Sequence, residues 1–165
     1  MFYVICHNIR SLHNIGSIFR TADGAAVSKI FLCGITGTPP RKEISKVALG
    51  AENFVPWEKH RQTARLIKKL KNEGIKIAAL EQSPKSVRYD KFKPKFPLAL
   101  VLGEETKGLP KKIMDLCDAA IEIPMFGKKE SLNVSVAFGV AAYEILKHLT
   151  INQSECSKLH PNDQN

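Results

Sequence analysis

Apolar residues along this chain follow two rhythms. Five short runs are apolar almost without interruption: FYVIC (2–6), KIFLCG (29–34), IKIAALE (75–81), LALVLG (98–103) and AAIEIPM (119–125). Continuous runs of this length suit strands that are buried on both faces. Between them the apolar positions recur every three or four residues. In HNIGSIFRTADGAA (13–26), Ile15, Ile18, Phe19, Ala22 and Ala26 form the core-facing stripe of an amphipathic helix, with Asn14 placed to cap it. Further helices are predicted over 41–49, 60–72 and 110–116, and a last one from near Ser131 to about Leu149. Strands alternating with helices predict an α/β fold with a mainly parallel sheet flanked by helices.

The length of 165 residues suits one domain, and 44% hydrophobic residues is enough for a core. We place that domain at 1–149 and read 150–165, which is polar and without periodicity, as a disordered tail. The formal net charge is +9, and the tail carries one Lys, one Glu and one Asp, so the domain itself holds +10. A basic domain makes a polyanion the first partner to consider, and nucleic acid is the usual one. The four cysteines are widely spaced with no CxxC pair, and the five histidines show no ligand spacing, so no metal site is expected. Unpatterned cysteines without a signal peptide suggest a reducing, cytoplasmic setting. The apolar start MFYVIC is far too short to span a membrane before His7, Asn8 and Arg10 end it.

Three stretches hold residues that could do chemistry. Gly16 sits in the first turn of the opening helix, four residues before Arg20, where a glycine costs about 0.8–1.0 kcal/mol against alanine. On these residues alone a plain Arg20–Asp23 surface pair, with Gly16 incidental, is the preferred reading. LVLGEETKGLP (100–110) follows a strand with Gly103, Glu105 and Gly108, where a backbone can approach a ligand; an ordinary strand-to-helix turn explains it about as well. It lacks the order of a P-loop, and the chain has no GxGxxG. In IEIPMFGKKESLNVSVAFGVAAYEIL (121–146), Ser131 is placed to cap the last helix. No charge occurs between Leu132 and Tyr143, so that helix is expected to be buried on every side, either in the core or in a subunit interface. Asn133 is then a buried amide at its start, either satisfied by backbone groups or aimed at a ligand.

Together the three stretches resemble a known family. NxGxxxR at 14–20, GxExxG at 103–108 and IPMFGKKESLNVSVA at 123–137 match, in order, the three motifs of the SpoU/TrmH branch of the SPOUT RNA methyltransferases. The likeness spans roughly Val4 to Leu146. It implies an S-adenosyl-L-methionine-dependent enzyme that methylates ribose 2′-hydroxyls in RNA and releases S-adenosyl-L-homocysteine, with no metal. It also implies a sheet whose C-terminal part is tied in a deep trefoil knot, and a homodimer with its active sites near the subunit interface. Carried over residue by residue, the cofactor contacts are Leu80, Gly103, Ile123, Met125, Ser131 and Leu132. Arg20 becomes the catalytic residue, with Asn14, Glu105, Ser131 and Asn133 ordering the site around it. Only with this resemblance is Gly16 expected to clear the way for RNA to reach Arg20. A guanidinium can hold a phosphate bidentately and stabilise a developing alkoxide, and its very high pKa argues against a role as base.

The stretch 36–60 resembles the matching region of tRNA ribose methyltransferases, which favours tRNA. Arg20, Arg41, Lys42, Arg61 and Arg65 are the candidate RNA contacts. An rRNA target is the alternative within the family. A second alternative is an RNA-binding SPOUT protein that keeps the fold but has lost the chemistry, and outside the family stands a nucleotide-dependent enzyme of ordinary doubly wound type.

Overall fold

The computed structural model describes residues 1–159, with side chains through 149. The elements are β1 (Phe2–His7), α1 (Leu12–Gly24), β2 (Lys29–Cys33), α2 (Lys42–Ala48), a 3₁₀ turn (Ala51–Asn53), β3 (Trp57–His60) and α3 (Thr63–Asn72). They continue through β4 (Lys76–Leu80), β5 (Val87–Arg88), β6 (Leu98–Leu102), α4 (Lys111–Met114), β7 (Ala119–Glu122) and α5 (Val134–Leu159). The strands form one sheet in the order β3-β2-β1-β6-β4-β7-β5, and every adjacent pair is parallel. All five apolar runs are strands of this sheet. β3 and β5 were not foreseen, because WEKH alternates poorly and VR is too short to show a pattern. Both are edge strands, where charged residues such as Glu58, Lys59 and Arg88 blunt an open edge.

The sheet has a packed core on each face. On one face Ile15, Ile18, Phe19 and Ala22 of α1 meet Ile44 and Ala48 of α2 and Phe138, Ala141, Ala142 and Ile145 of α5. On the other, Leu66, Ile67 and Leu70 of α3 and Ile113 of α4 cover Ile5, Phe31, Ile77, Ala99 and Val101. Central β6 is buried along its whole length, which is why it reads LALVL.

Several local expectations are corrected. Ser11, not Asn14, caps α1: its side chain accepts from the Asn14 amide, so Asn14 lies inside the first turn. The stripe ends at Ala22, since α1 stops at Gly24; Ala25 turns inward while Ala26 is exposed with φ 49°. Asn133, not Ser131, caps α5, because its side-chain oxygen accepts from the Ser135 amide at 2.9 Å. Within the chain α5 is not buried all round, since Val136 and Tyr143 are 52% and 51% exposed. It is also continuous past Leu149 as far as Leu159, and the rest of the expected tail lies outside the described residues.

Gly16 is corrected too. A Cβ there would lie 2.7 Å from the Ile44 carbonyl oxygen and 2.8 Å from Val47 Cβ. The bare glycine serves the close crossing of α1 over α2 and opens no path to Arg20.

Candidate active site

In a parallel sheet the loops that follow the strands all emerge at one end. Here the loops after β6, β4 and β7, three neighbouring strands, enclose a cavity of about 390 Å³. Its walls include Leu80, Gly103, Ile123, Met125, Ser131 and Leu132, together with Glu105 and Asn133. Residues 43 positions apart in the chain thus face one space only because β4 and β7 are neighbours.

Each loop is fixed by bonds to another. Glu81 Oε2 accepts from the Leu109 amide at 2.8 Å, joining the loop after β4 to the loop after β6. Gln82 Nε2 donates to the Glu130 carbonyl at 2.7 Å, joining it to the loop after β7. The loop after β6 also closes on itself, with the Gly108 amide donating to the Glu104 carbonyl at 3.0 Å. Its glycines are needed for this closure. A Cβ on Gly103 would sit 2.5 Å from the Gly108 carbonyl carbon. Gly108 has φ +63°, and a Cβ there would strike the Glu81 carboxylate. Gly103 therefore makes room for its own loop, and it lines the cavity as well. Glu81 and Gln82 were missed by the sequence reading, and no local signal marks them, because their partners are 28 and 48 residues away.

The second feature is a relay of polar side chains beside the cavity. Glu105 Oε1 accepts from Asn14 Nδ2 at 3.0 Å and from the Ser11 amide at 3.1 Å, while Oε2 accepts from the Arg10 amide at 3.2 Å. Asn14 Oδ1 accepts from Asn133 Nδ2 at 3.0 Å. Asn133 Oδ1 accepts from the Ser135 amide and, at 2.7 Å, from its hydroxyl. Both amide orientations are forced: an ionised carboxylate only accepts and a backbone N–H only donates. Partial burial pushes the Glu105 carboxyl up, but the hydrogen bonds from Asn14 and from the backbone outweigh it and hold the group below the ordinary carboxylate range. Asn133 is exposed, not the buried amide expected, and its polar atoms are satisfied within the relay.

Arg20 does not line the cavity. It is exposed on α1, and among the described residues it forms no ion pair, so the Arg20–Asp23 surface pair is absent. The other candidate RNA contacts divide. Arg41 and Lys42 begin α2 on one face of the sheet and Arg61 precedes α3 on the other, yet all three follow strand ends and share the rim that holds the cavity. Arg65 lies a turn further along α3.

The cavity's charge runs against that of the protein. Glu81, Glu104, Glu105, Glu122 and Glu130 line it and Lys107 is its single lining cation. Carboxylates among the apolar side chains of Leu80, Leu102, Ile123, Met125 and Leu132 suit a ligand with both a cationic centre and a flat apolar body. Among the described residues no group of three or more His, Cys, Asp or Glu could hold a metal ion, and no helix is long and apolar enough to cross a membrane.

The fold and site define a parallel α/β protein with a cavity at the carboxyl end of three neighbouring strands. Residues 1–143 match the model of the SpoU rRNA Methylase family, and the chain belongs to that family. It is 33% identical to the 23S rRNA (guanosine-2′-O-)-methyltransferase RlmB of Vibrio parahaemolyticus, over 87% of this chain and 58% of that protein. The chain spans about 58% of the length of the curated relatives it matches. Among solved structures it resembles the AdoMet-bound rRNA methyltransferase of Sinorhizobium meliloti, with a TM-score of 0.84 and 31% identity over 90% of this chain and 56% of that one. A second, described under the 2-OH methylation of C/U34 on tRNA, has a TM-score of 0.79 and 26% identity over 91% of this chain and 97% of that one.

Proposed function

We propose that this protein is an RNA methyltransferase that transfers a methyl group from S-adenosyl-L-methionine to a ribose 2′-hydroxyl, and that the RNA is a tRNA. The observation that carries the reading is the cavity at the ends of β6, β4 and β7 with the Glu105–Asn14–Asn133 relay beside it. The cofactor, when bound, supplies a methyl group on a positively charged sulfur. The acidic lining favours that charge, and the apolar walls around Leu80, Ile123, Met125 and Leu132 suit the adenine ring. The deep trefoil knot belongs to the same proposal.

The chain's own residues must then align a 2′-oxygen and favour loss of its proton. The relay holds the start of α1 against the start of α5 and fixes the cavity wall at Asn133. Arg20 supplies positive charge to the developing alkoxide and its phosphate. Because Arg20 does not line the cavity of its own chain, we assign its action to a homodimer. α1 packs on α5, with Gly139 near Thr21, and the exposed apolar Val136 and Tyr143 lie on that same helix pair. A second copy covering this face would bring its Arg20 towards the first copy's cavity.

Charge on the rim suits RNA. Arg41, Lys42, Arg61, Lys107, Lys128 and Lys129 are exposed on loops or helix starts after β2, β3, β6 and β7, and among the described residues none is in an ion pair. Unpaired cations are free to release counterions on meeting phosphates. The tRNA assignment, and the cytoplasmic setting that goes with it, draws on the likeness to the structure described under the 2-OH methylation of C/U34 on tRNA and on the stretch 36–60.

The test is methyl transfer from tritiated S-adenosyl-L-methionine to folded tRNA and to rRNA fragments, followed by alkaline hydrolysis, which a 2′-O-methyl group resists at one linkage. Label in tRNA with one resistant linkage supports the proposal. Label confined to rRNA overturns the tRNA assignment, label on a base overturns the ribose, and cofactor binding with no transfer to any RNA leaves a binding protein.

A further inference from the structure

The loop between β7 and α5 leaves the cavity wall at Met125 and returns to it at Glu130. Between them lies FGKK, and Phe126 is 90% exposed, more than any other large hydrophobic residue described. Gly127 beside it has nothing within 4 Å of where its Cβ would be. Lys128 and Lys129 follow, both exposed, and among the described residues neither forms an ion pair or a hydrogen bond. Keeping a phenyl ring in water forgoes the stabilisation that burial of its large apolar area would give. Two bare lysines beside it repel each other as well. A ring and two cations on one projecting loop match the chemistry of an unpaired nucleotide, which has an aromatic face and a phosphate on each side.

Position narrows the occupant further. Phe126 directly follows Met125, so its Cα is about 3.8 Å from that of a wall residue. A ribose whose 2′-oxygen enters the mouth carries its base on the adjoining carbon, within reach of a ring at the mouth's edge. We infer that Phe126 is the platform on which the base of the target nucleotide stacks, with Lys128 and Lys129 taking the adjacent phosphates. This rests on the reading of the cavity as the methyl donor's site. Stacking is tolerant of base identity, so this contact gives the enzyme a preference for an unpaired nucleotide over a paired one without choosing the base.

The test uses a heptaribonucleotide, uridines flanking one central 2-aminopurine, whose fluorescence is quenched on stacking. The wild-type protein should quench it, and Phe126→Ala should lose the quenching and bind roughly 5- to 150-fold more weakly. Phe126→Trp should restore both. Replacing Lys128 and Lys129 with Gln should weaken binding and flatten its salt dependence while the quenching at saturation stays. Phe54→Ala, at another exposed phenylalanine, should change nothing. Unchanged quenching and affinity in Phe126→Ala would overturn the inference, and so would a shift of that variant from dimer to monomer, which would make the ring an interface residue. Calorimetry with S-adenosyl-L-methionine separates the two readings: failure of the wild type to bind it defeats the assigned function, whereas normal binding with unchanged quenching defeats only the role of Phe126.

Discussion

Asn133 Nδ2 donates to Asn14 Oδ1 at 3.0 Å, across 119 residues of sequence. This bond ties the start of α5 to the first turn of α1, and through Asn14 it continues to Glu105 in the loop after β6. Three segments far apart in the chain meet in one short relay whose direction is fixed at both ends. Its terminal acceptor is the carboxylate, so the three hydrogen bonds that end on Glu105 are strongest when that group is ionised.

Glu105→Gln puts an amide N–H₂ against donors that need an acceptor. A stability loss of about 1 kcal/mol is expected, at the low end for an unsatisfied group because the site is partly solvated. The pH dependence has a definite sign. The carboxyl's folded pKa is depressed, so its contribution is present above the unfolded value near about 4.3 and is lost as pH falls through the folded one. Urea unfolding of wild type and variant from neutral pH downward should show the difference shrinking only in the acid range. A constant difference would remove the charge from the argument.

Gly16→Ala distinguishes packing from access. Alanine gains about 1 kcal/mol of helix propensity, so an open site would make the protein more stable. Contact with Ile44 and Val47 instead requires α1 and α2 to separate, which costs typically about 1–3 kcal/mol. A lower melting temperature is expected, and a higher one would return Gly16 to a ligand-facing role.

Arg20→Ala should leave the fold and S-adenosyl-L-methionine affinity nearly intact while lowering turnover roughly 10²–10³-fold, the usual loss for one transition-state donor. Arg20→Lys should recover little, because an ammonium lacks the planar fork. Mixing Arg20→Ala with a variant defective only in the cavity should restore activity in mixed dimers if the arginine acts across the interface. No restoration places its action within one chain.

Val136→Lys tests the association itself. The residue is half exposed on α5, so in an isolated chain the change should be close to neutral. In a dimer closed over this face it buries a charge without a partner and should give monomers by light scattering, with loss of methyl transfer. A variant that stays dimeric and active would move the interface elsewhere.

The sequence alone determined the sheet's central strands, the helices between them and the family. The five apolar runs are strands because burial on both faces leaves no room for polar alternation, and that signal is local. The three motifs were legible because each is a contiguous string. Other features were decided only by the tertiary structure. Gly16 and Gly103 looked alike as openings for a ligand, yet one admits a neighbouring helix and the other its own loop at the cavity wall. The edge strands took their partners from the sheet rather than from their own residues. Glu81 and Gln82 brace the cavity through partners that no spacing rule could supply. Whether Asn133 is buried, and what satisfies it, followed from where the first turn of α1 lies in space. Backbone periodicity reports what a residue's own segment does; which segments meet depends on how a parallel sheet gathers its carboxyl-end loops onto one rim.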